Sequence, residues 1–237
     1  MKTILEVQNL THRFQSENLF SGIHFQLMQN ESIAIVGPSG CGKSTLLRLL
    51  AGFLKPSSGQ IIKDDSLQEK IGFVFQESTL LPWLNVQKNT ELPLQLSGRT
   101  ADVDQWIQLV GLSLHVQKFP HELSGGMKMR ASIARALVLE PKLLLLDEPF
   151  SALDENTREK LIHDFQSLQK KLQFSSVFVT HSLAEALLLS DRILILNKYG
   201  HCIGEYSPQI NRFKEKVEYT PEFQQELFKL KEAFRKT

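Results

Sequence analysis

The sequence predicts an α/β protein with a largely parallel central sheet and an inserted helical subdomain. Short apolar segments of strand length alternate with longer stretches of helical periodicity. Two of the apolar segments, Leu143-Leu144-Leu145-Leu146 and Val177-Phe178-Val179, lack the alternation of a half-exposed sheet and fit central strands covered on both faces. Residues 77–138 turn mostly helical, with Pro82, Pro93 and Pro120 as punctuation and little strand character.

In chain order the expected strands are Ile4–Val7, Ile23–Leu27, Ser32–Val36, Ile71–Phe75, Leu143–Asp147, Ser176–Thr180 and Arg192–Leu196. Lys43–Ala51 is expected as a helix carrying Leu46, Leu47, Leu49 and Leu50. A second helix between Glu155 and Gln173 places Leu161, Ile162, Phe165, Leu168 and Leu172 on one stripe. From about Glu205 the chain becomes more charged and loses strand periodicity. Thr220-Pro221-Glu222 then reads as an N-cap, a proline at the first helical position and an acid in the first turn. Phe223, Leu227, Leu230 and Phe234 mark the face by which this last helix docks on the body. The expected organisation is one domain: an α/β core from 1–76 and 139–204, a helical subdomain at 77–138 and a C-terminal helical extension at 205–237.

Of the 237 residues, 42% are hydrophobic and 22% charged, which supports a packed core and excludes a disordered or fibrous chain. The net charge of +1 supplies no global positive field, so nucleic acid is not an expected partner. Cys41 and Cys202 make no disulfide framework. The opening Met1–Val7 meets a charge before a secretory stretch can develop, and no run approaches the roughly 18 apolar residues of a spanning helix. A soluble, cytoplasmic chain is expected, with no accessory domain after the last helix.

Ser32–Val36 runs into Gly37-Pro38-Ser39-Gly40-Cys41-Gly42-Lys43-Ser44-Thr45 and then into a leucine-rich helix. This is the strand–glycine loop–helix arrangement that cradles phosphates: curled backbone N–H groups and the helix N-terminus converge on the anion. Lys43 would bridge the β- and γ-phosphates and the Ser44 hydroxyl would hold Mg²⁺. Cys41 is expected to serve through its backbone rather than its thiol. The pattern points to a nucleoside triphosphate without separating a kinase, a GTPase and a transport ATPase. Leu143–Leu146 delivers Asp147 and Glu148 to a strand end, where open α/β sheets bind ligands. Asp147 is the candidate for Mg²⁺, and Glu148 for polarising the attacking water. Ser124 would cap the helix that follows it, and Gly125 and Gly126 would leave its first-turn N–H groups open to an anion.

Taken in order, Gly37–Thr45, Gln76, Leu123-Ser124-Gly125-Gly126-Met127, Asp147-Glu148, Ser151-Ala152-Leu153-Asp154 and His181 resemble the ATP-binding cassette (ABC) family along essentially the whole chain. The resemblance implies a P-loop NTPase with a RecA-like core sheet, an antiparallel N-terminal β region and an inserted helical subdomain. It also implies a head-to-tail homodimer with ATP and Mg²⁺ at the interface. In it Ser124, Gly125 and Gly126 cover the partner's nucleotide and Asp154 adjusts the partner's site. By the same resemblance Phe14 stacks on adenine, Gln76 contacts Mg²⁺ or the lytic water, and His181 bonds the γ-phosphate and orients Glu148.

Gly72–Glu77, Leu81-Pro82-Trp83, Asn89, Leu123–Lys128 and Thr220–Phe223 are similar to the nitrate, sulfonate and taurine importer lineage. That implies integral membrane permease subunits and a solute-binding protein as partners, with this chain peripheral on the cytoplasmic face. Leu80–Leu84 would receive a permease helix, although Trp83 could equally pack inside the helical subdomain. Lys128 and Met129 depart from the glutamines of many members, and Asp64-Asp65-Ser66 stands where a glycine turn is common. The rival readings are an ABC ATPase of envelope lipid trafficking and a soluble ABC ATPase of DNA repair, chromosome maintenance or translation. A small-molecule kinase would share the glycine loop but has no need of Leu123–Met127.

Overall fold

Two long strands open the chain, β1 (Thr3–Phe14) and β2 (Glu17–Met28), and pair antiparallel. The register sets Leu5 against Leu27, Val7 against Phe25 and Leu10 against Ile23, and all six side chains are buried. Alternation places Leu5, Val7, Phe25 and Leu27 on one inward face, and Leu10 and Ile23 join the core beyond a register shift. The computed structural model describes residues 2–14, 17–214 and 216–235, without the side chains of Phe14 and Glu17. The chain divides into two compact units, Met1–Gln68 with Phe174–Thr237, and Glu69–Gln173.

In the first unit β1 also pairs with β4 (Ser58–Lys63), giving the antiparallel order β2-β1-β4. A second set of strands centres on β3 (Ser32–Val36), which pairs in parallel with β7 (Ser175–Thr180) and β8 (Arg192–Leu196). The strand β9 (Cys202–Tyr206) lies antiparallel on β8. Every residue of β3 and β7 is buried, as the Ile33–Val36 and Val177–Val179 runs require, and the polar Ser32 and Ser176 near their starts are joined by a 2.9 Å hydrogen bond. Helix α1 (Lys43–Ala51) contacts β7, α6 (Leu183–Leu189) contacts β3 and β7, and α7 (Pro221–Arg235) packs on α6. The Thr220 hydroxyl caps α7 by accepting from the Phe223 N–H, and Phe223 and Leu230 are buried on the expected face.

In the second unit β5 (Ile71–Val74) and β6 (Leu143–Asp147) run parallel. Around them lie α2 (Val86–Leu96), α3 (Asp104–Leu109), α4 (Gly125–Leu137) and α5 (Glu155–Leu172). Helix α4 contacts β5 and each of the other three helices. Helix α2 continues through Pro93, which reads in the sequence as punctuation, and ends at Leu96.

Two strands are absent from the sequence expectation. β4 begins Ser58-Gly59-Gln60 and is largely exposed, so it lacks the apolar run that marks a strand. β9 alternates between half-buried and exposed residues at the edge of its sheet. β1 and β2 extend well beyond the predicted four or five residues, because register shifts break their apolar alternation into shorter pieces.

Candidate active site

The phosphate loop closes on itself. Lys43 is 5% exposed, and its Nζ donates to the carbonyls of Gly37 at 2.8 Å and Pro38 at 2.9 Å. A primary ammonium held at the mouth of a helix, inside a ring of backbone groups, is a fixed point charge for an anion. The glycines are set by space as well as by conformation. Gly42 caps α1 at φ +96°, and a Cβ there would lie 2.7 Å from Phe20 Cδ1 and 2.9 Å from Leu19 Cγ. A Cβ on Gly37 would meet Cys41 Sγ and the Leu196 carbonyl, each at 2.9 Å. Cys41 is buried, and burial pushes its thiol above the usual range, so it packs as a small apolar group. The turn between β8 and β9 supports the loop from below. Gly200 stands at φ +71°, and a Cβ on it would be 2.4 Å from the Leu19 carbonyl and 2.9 Å from that of Cys41.

His181 belongs to the same end of the same sheet. Val36 is paired with Thr180, so Gly37 and His181 leave neighbouring parallel strands at one level. This is the carboxyl edge, where open α/β sheets receive ligands. His181 is exposed there, while Ser39 and Gly40 are the exposed crest of the loop and Ser44 and Thr45 begin α1 half-buried. The adenine-stacking expectation for Phe14 falls on a side chain outside the described residues; its backbone ends β1.

The second unit repeats the geometry. Val74 pairs with Leu146, so Gln76 and the Asp147-Glu148 pair leave β5 and β6 at the same end. Asp147 is buried, whereas Glu148 is half-buried and takes a left-handed backbone, φ +44°. That conformation costs a non-glycine residue about 1–3 kcal/mol. Pro149 disfavours the right-handed alternative for its predecessor. Ser151 clamps the result: its hydroxyl donates to the Glu148 carbonyl at 2.9 Å and its N–H donates to the same oxygen at 3.2 Å. Gln76 Nε2 approaches Glu148 Oε2 and Ser151 Oγ, both at 3.5 Å.

Ser124 caps α4, its hydroxyl accepting from the Met127 N–H at 3.3 Å. The two glycines after it differ. Gly125 is exposed, and a Cβ on it would make ordinary contact with Leu153 at 3.5 Å. Gly126 is buried, and a Cβ on it would lie 2.4 Å from Thr157 Cγ2. Gly126 is therefore required by the packing of α4 on α5. Ser124, Gly126 and Met127 border a cavity of about 420 Å³ whose other walls include Arg130, Lys160 and Asp164. Arg130 pairs with Asp164 at 2.5 Å and donates to the Val110 carbonyl. Asp154 caps α5 by accepting from the Thr157 N–H at 3.0 Å, and those Thr157 hydrogen bonds hold its carboxyl below the usual range. Arg158 ties down the preceding loop by donating to the carbonyls of Phe150 and Leu153.

The loop after Gln76 is knotted around Asn89, which is fully buried. Asn89 Oδ1 accepts from the Leu81 N–H, and its Nδ2 donates to the carbonyls of Leu81, Leu84 and Asn85. Trp83 stands 69% exposed on this loop, which excludes its burial inside the helical unit. Three groups that matter here, Thr157, Arg158 and Gly200, have no mark in the sequence, and Ser151 entered only as part of the Ser151–Asp154 motif, without its clamp on Glu148. A hydroxyl three residues after a strand-end acid is the local signal that could have shown the clamp.

Each unit carries oxygen donors of its own: the Ser44 hydroxyl at the first turn of α1 in the first unit, and the Gln76 amide and Asp147 carboxylate at neighbouring strand ends in the second. Hard oxygen donors of this kind fit Mg²⁺ rather than a thiolate- or imidazole-seeking metal. Among the described residues no group of three or more His, Cys, Asp or Glu side chains is placed to hold a metal ion.

The family model for ABC transporters matches residues 20–151. The chain is 42% identical over 227 residues to the spermidine/putrescine import ATP-binding protein of Nitrosomonas europaea, covering 89% of this chain and 63% of that protein. It is 41% identical over 185 residues to the aliphatic sulfonates import ATP-binding protein of Bacillus cereus, covering 76% of this chain and 74% of the relative. A solved dimeric ATP-binding cassette, MJ0796 bound to ADP and phosphate in a post-hydrolysis state, superposes with a TM-score of 0.75 at 30% identity, over 86% of this chain and 98% of that one. The chain belongs to the ABC transporter family, and its fold and motifs are those of an ABC-type ATPase.

Proposed function

We propose that this chain is the ATP-binding and ATP-hydrolysing subunit of an ABC importer, acting as a homodimer on separate membrane permease subunits. The observation that carries the reading is Lys43, buried against the Gly37 and Pro38 carbonyls in a loop where Gly37 and Gly42 leave no room for a side chain. Gly37–Thr45 would cradle the phosphates, with Lys43 on the β- and γ-groups. Bound Mg²⁺, held by Ser44, Gln76 and Asp147, would neutralise phosphate charge. Glu148 would take a proton from the attacking water while His181 holds the γ-phosphate. The strained backbone at Glu148, clamped by Ser151, keeps its carboxylate aimed without reorganisation.

Ser124 and Gly125 of one copy would cover the γ-phosphate bound by the other, with Gly126 shaping that end and Asp154 adjusting the partner's pocket. ATP then favours the closed pair because it touches both halves, and hydrolysis removes the preference. Among the described residues no helix is long and apolar enough to cross a membrane, so coupling would run through a partner. The exposed Trp83 loop would offer the contact, and the chain would then sit at the cytoplasmic face of the membrane. A nitrate-, sulfonate- or taurine-type solute, delivered by a solute-binding protein, is supported by the Gly72–Glu77, Leu81–Trp83 and Thr220–Phe223 segments and by the sulfonate relative. The polyamine relative is equally similar in identity, so the solute is tested through the permease and not through the cassette.

Glu148→Gln tests the chemistry. It should bind Mg-ATP, accumulate as a dimer in size-exclusion chromatography and lose about 10²–10⁴-fold in turnover. Near-parental hydrolysis would remove Glu148 from the role of base.

A further inference from the structure

The turn that carries His181 is built around a carboxylate that the proposed chemistry leaves without a task. Glu185, in α6, is 6% exposed, and a carboxylate is retained at such a depth only where it is hydrogen-bonded. Its Oε2 accepts from the Thr180 hydroxyl at 2.5 Å. The Thr180 oxygen in turn accepts the backbone N–H of Ser182 at 3.0 Å. The Ser182 hydroxyl accepts the backbone N–H of Glu185 at 3.3 Å.

A helix that starts Ser-x-x-Glu ordinarily sends the acid back to the N-cap N–H. Here a threonine hydroxyl is inserted between the two. Thr180 has a single hydroxyl proton, and giving it to Glu185 leaves its lone pairs to receive Ser182, so the chain of bonds runs in one direction. The residues on either side of His181 are thereby both fixed, Thr180 from the buried strand and Ser182 at the helix start. His181 itself, between them, is exposed.

We propose that Thr180 and Glu185 are positioning residues that set the direction of the His181 imidazole through the Ser182 N–H to Thr180 hydroxyl to Glu185 carboxylate relay. The proposal rests on reading His181 as the γ-phosphate contact. Its test is ATP turnover and Mg-ATP affinity of the purified full chain, measured for Thr180→Val, Thr180→Ser and Glu185→Leu, each alone and combined with His181→Ala. Thr180→Val and Glu185→Leu should each lose about 10–100-fold in kcat, the scale of a misplaced catalytic group, with Kd for Mg-ATP changed less than about twofold.

Thr180→Ser keeps the relay and should stay within about threefold of the parent, which separates positioning from a general loss of folding. On the His181→Ala background the added substitutions should change turnover by less than about twofold, because coupled groups are not additive. Equal losses in the two backgrounds, or no recovery with serine, would overturn the relay while leaving His181 its role. Parental turnover of His181→Ala alone would overturn both.

Discussion

Gly126 and Gly125 stand side by side at the start of α4, and replacing each with alanine should give opposite results. A Cβ at Gly126 would lie 2.4 Å from Thr157 Cγ2, about 1 Å short of ordinary contact, whereas at Gly125 the nearest atom, Leu153 Cδ2, is 3.5 Å away. Thr157 cannot swing aside easily, because it is β-branched and its N–H is held by Asp154 in the first turn of α5. The strain must pass into the spacing of α4 and α5. Overpacking of this kind costs about 1–3 kcal/mol, which for a chain of this size lowers Tm by about 2–12 °C. Gly125→Ala should be neutral or slightly stabilising, since alanine is the better helix former. Thermal and urea unfolding of the purified variants give the comparison. The deciding measurement is Gly126→Ala with Thr157→Ser, which removes the colliding methyl and keeps the capped N–H; at least half of the lost stability should return. If Gly126→Ala unfolds with the parent, or the serine brings no relief, the steric account of this glycine is wrong.

Lys43→Ala should abolish the stabilisation that Mg-ATP confers, about 2.7 kcal/mol at a hundredfold excess over Kd, seen as a missing Tm shift in a nucleotide titration. The Asp154 carboxyl, held low by Thr157, contributes stability that is present above the unfolded-state pKa and lost as pH falls through the folded one. The urea midpoint of the parent should therefore exceed that of Asp154→Asn near neutrality, and the gap should close below about pH 4. Trp83→Arg should release the membrane partner in a detergent pull-down while leaving Mg-ATP affinity at the parental value; undiminished capture of the permease would refute the docking role of that loop.

The bounds of β3, α1, β6 and β8 follow the sequence reading residue for residue, because each is an apolar run ending in a glycine, a charge or a polar turn. β4 and β9 were illegible for the opposite reason: an edge strand carries polar residues on the side that faces water, so no apolar run announces it. The candidate site divides in the same way. A phosphate loop is legible because it needs glycine at particular backbone positions and one lysine at fixed spacing. The clamp of Ser151 on Glu148, the grip of Arg158 on Phe150 and Leu153, and the collision that forbids a side chain at Gly126 depend on which segments the fold sets together. The even choice left open for Trp83 is decided by exposure, which periodicity over so short and proline-interrupted a stretch could not provide.

Gly200 has an effect well beyond its own hairpin. Because a side chain there would press on the Leu19 and Cys41 carbonyls, the contour of the anion cradle is moulded by a turn far downstream in the chain. Grafting the nine residues Gly37–Thr45 onto another strand–helix junction would transfer the lettering without the mould. An insertion or a bulkier residue between β8 and β9 would be felt first as weakened grip on phosphate, before the hairpin itself came apart.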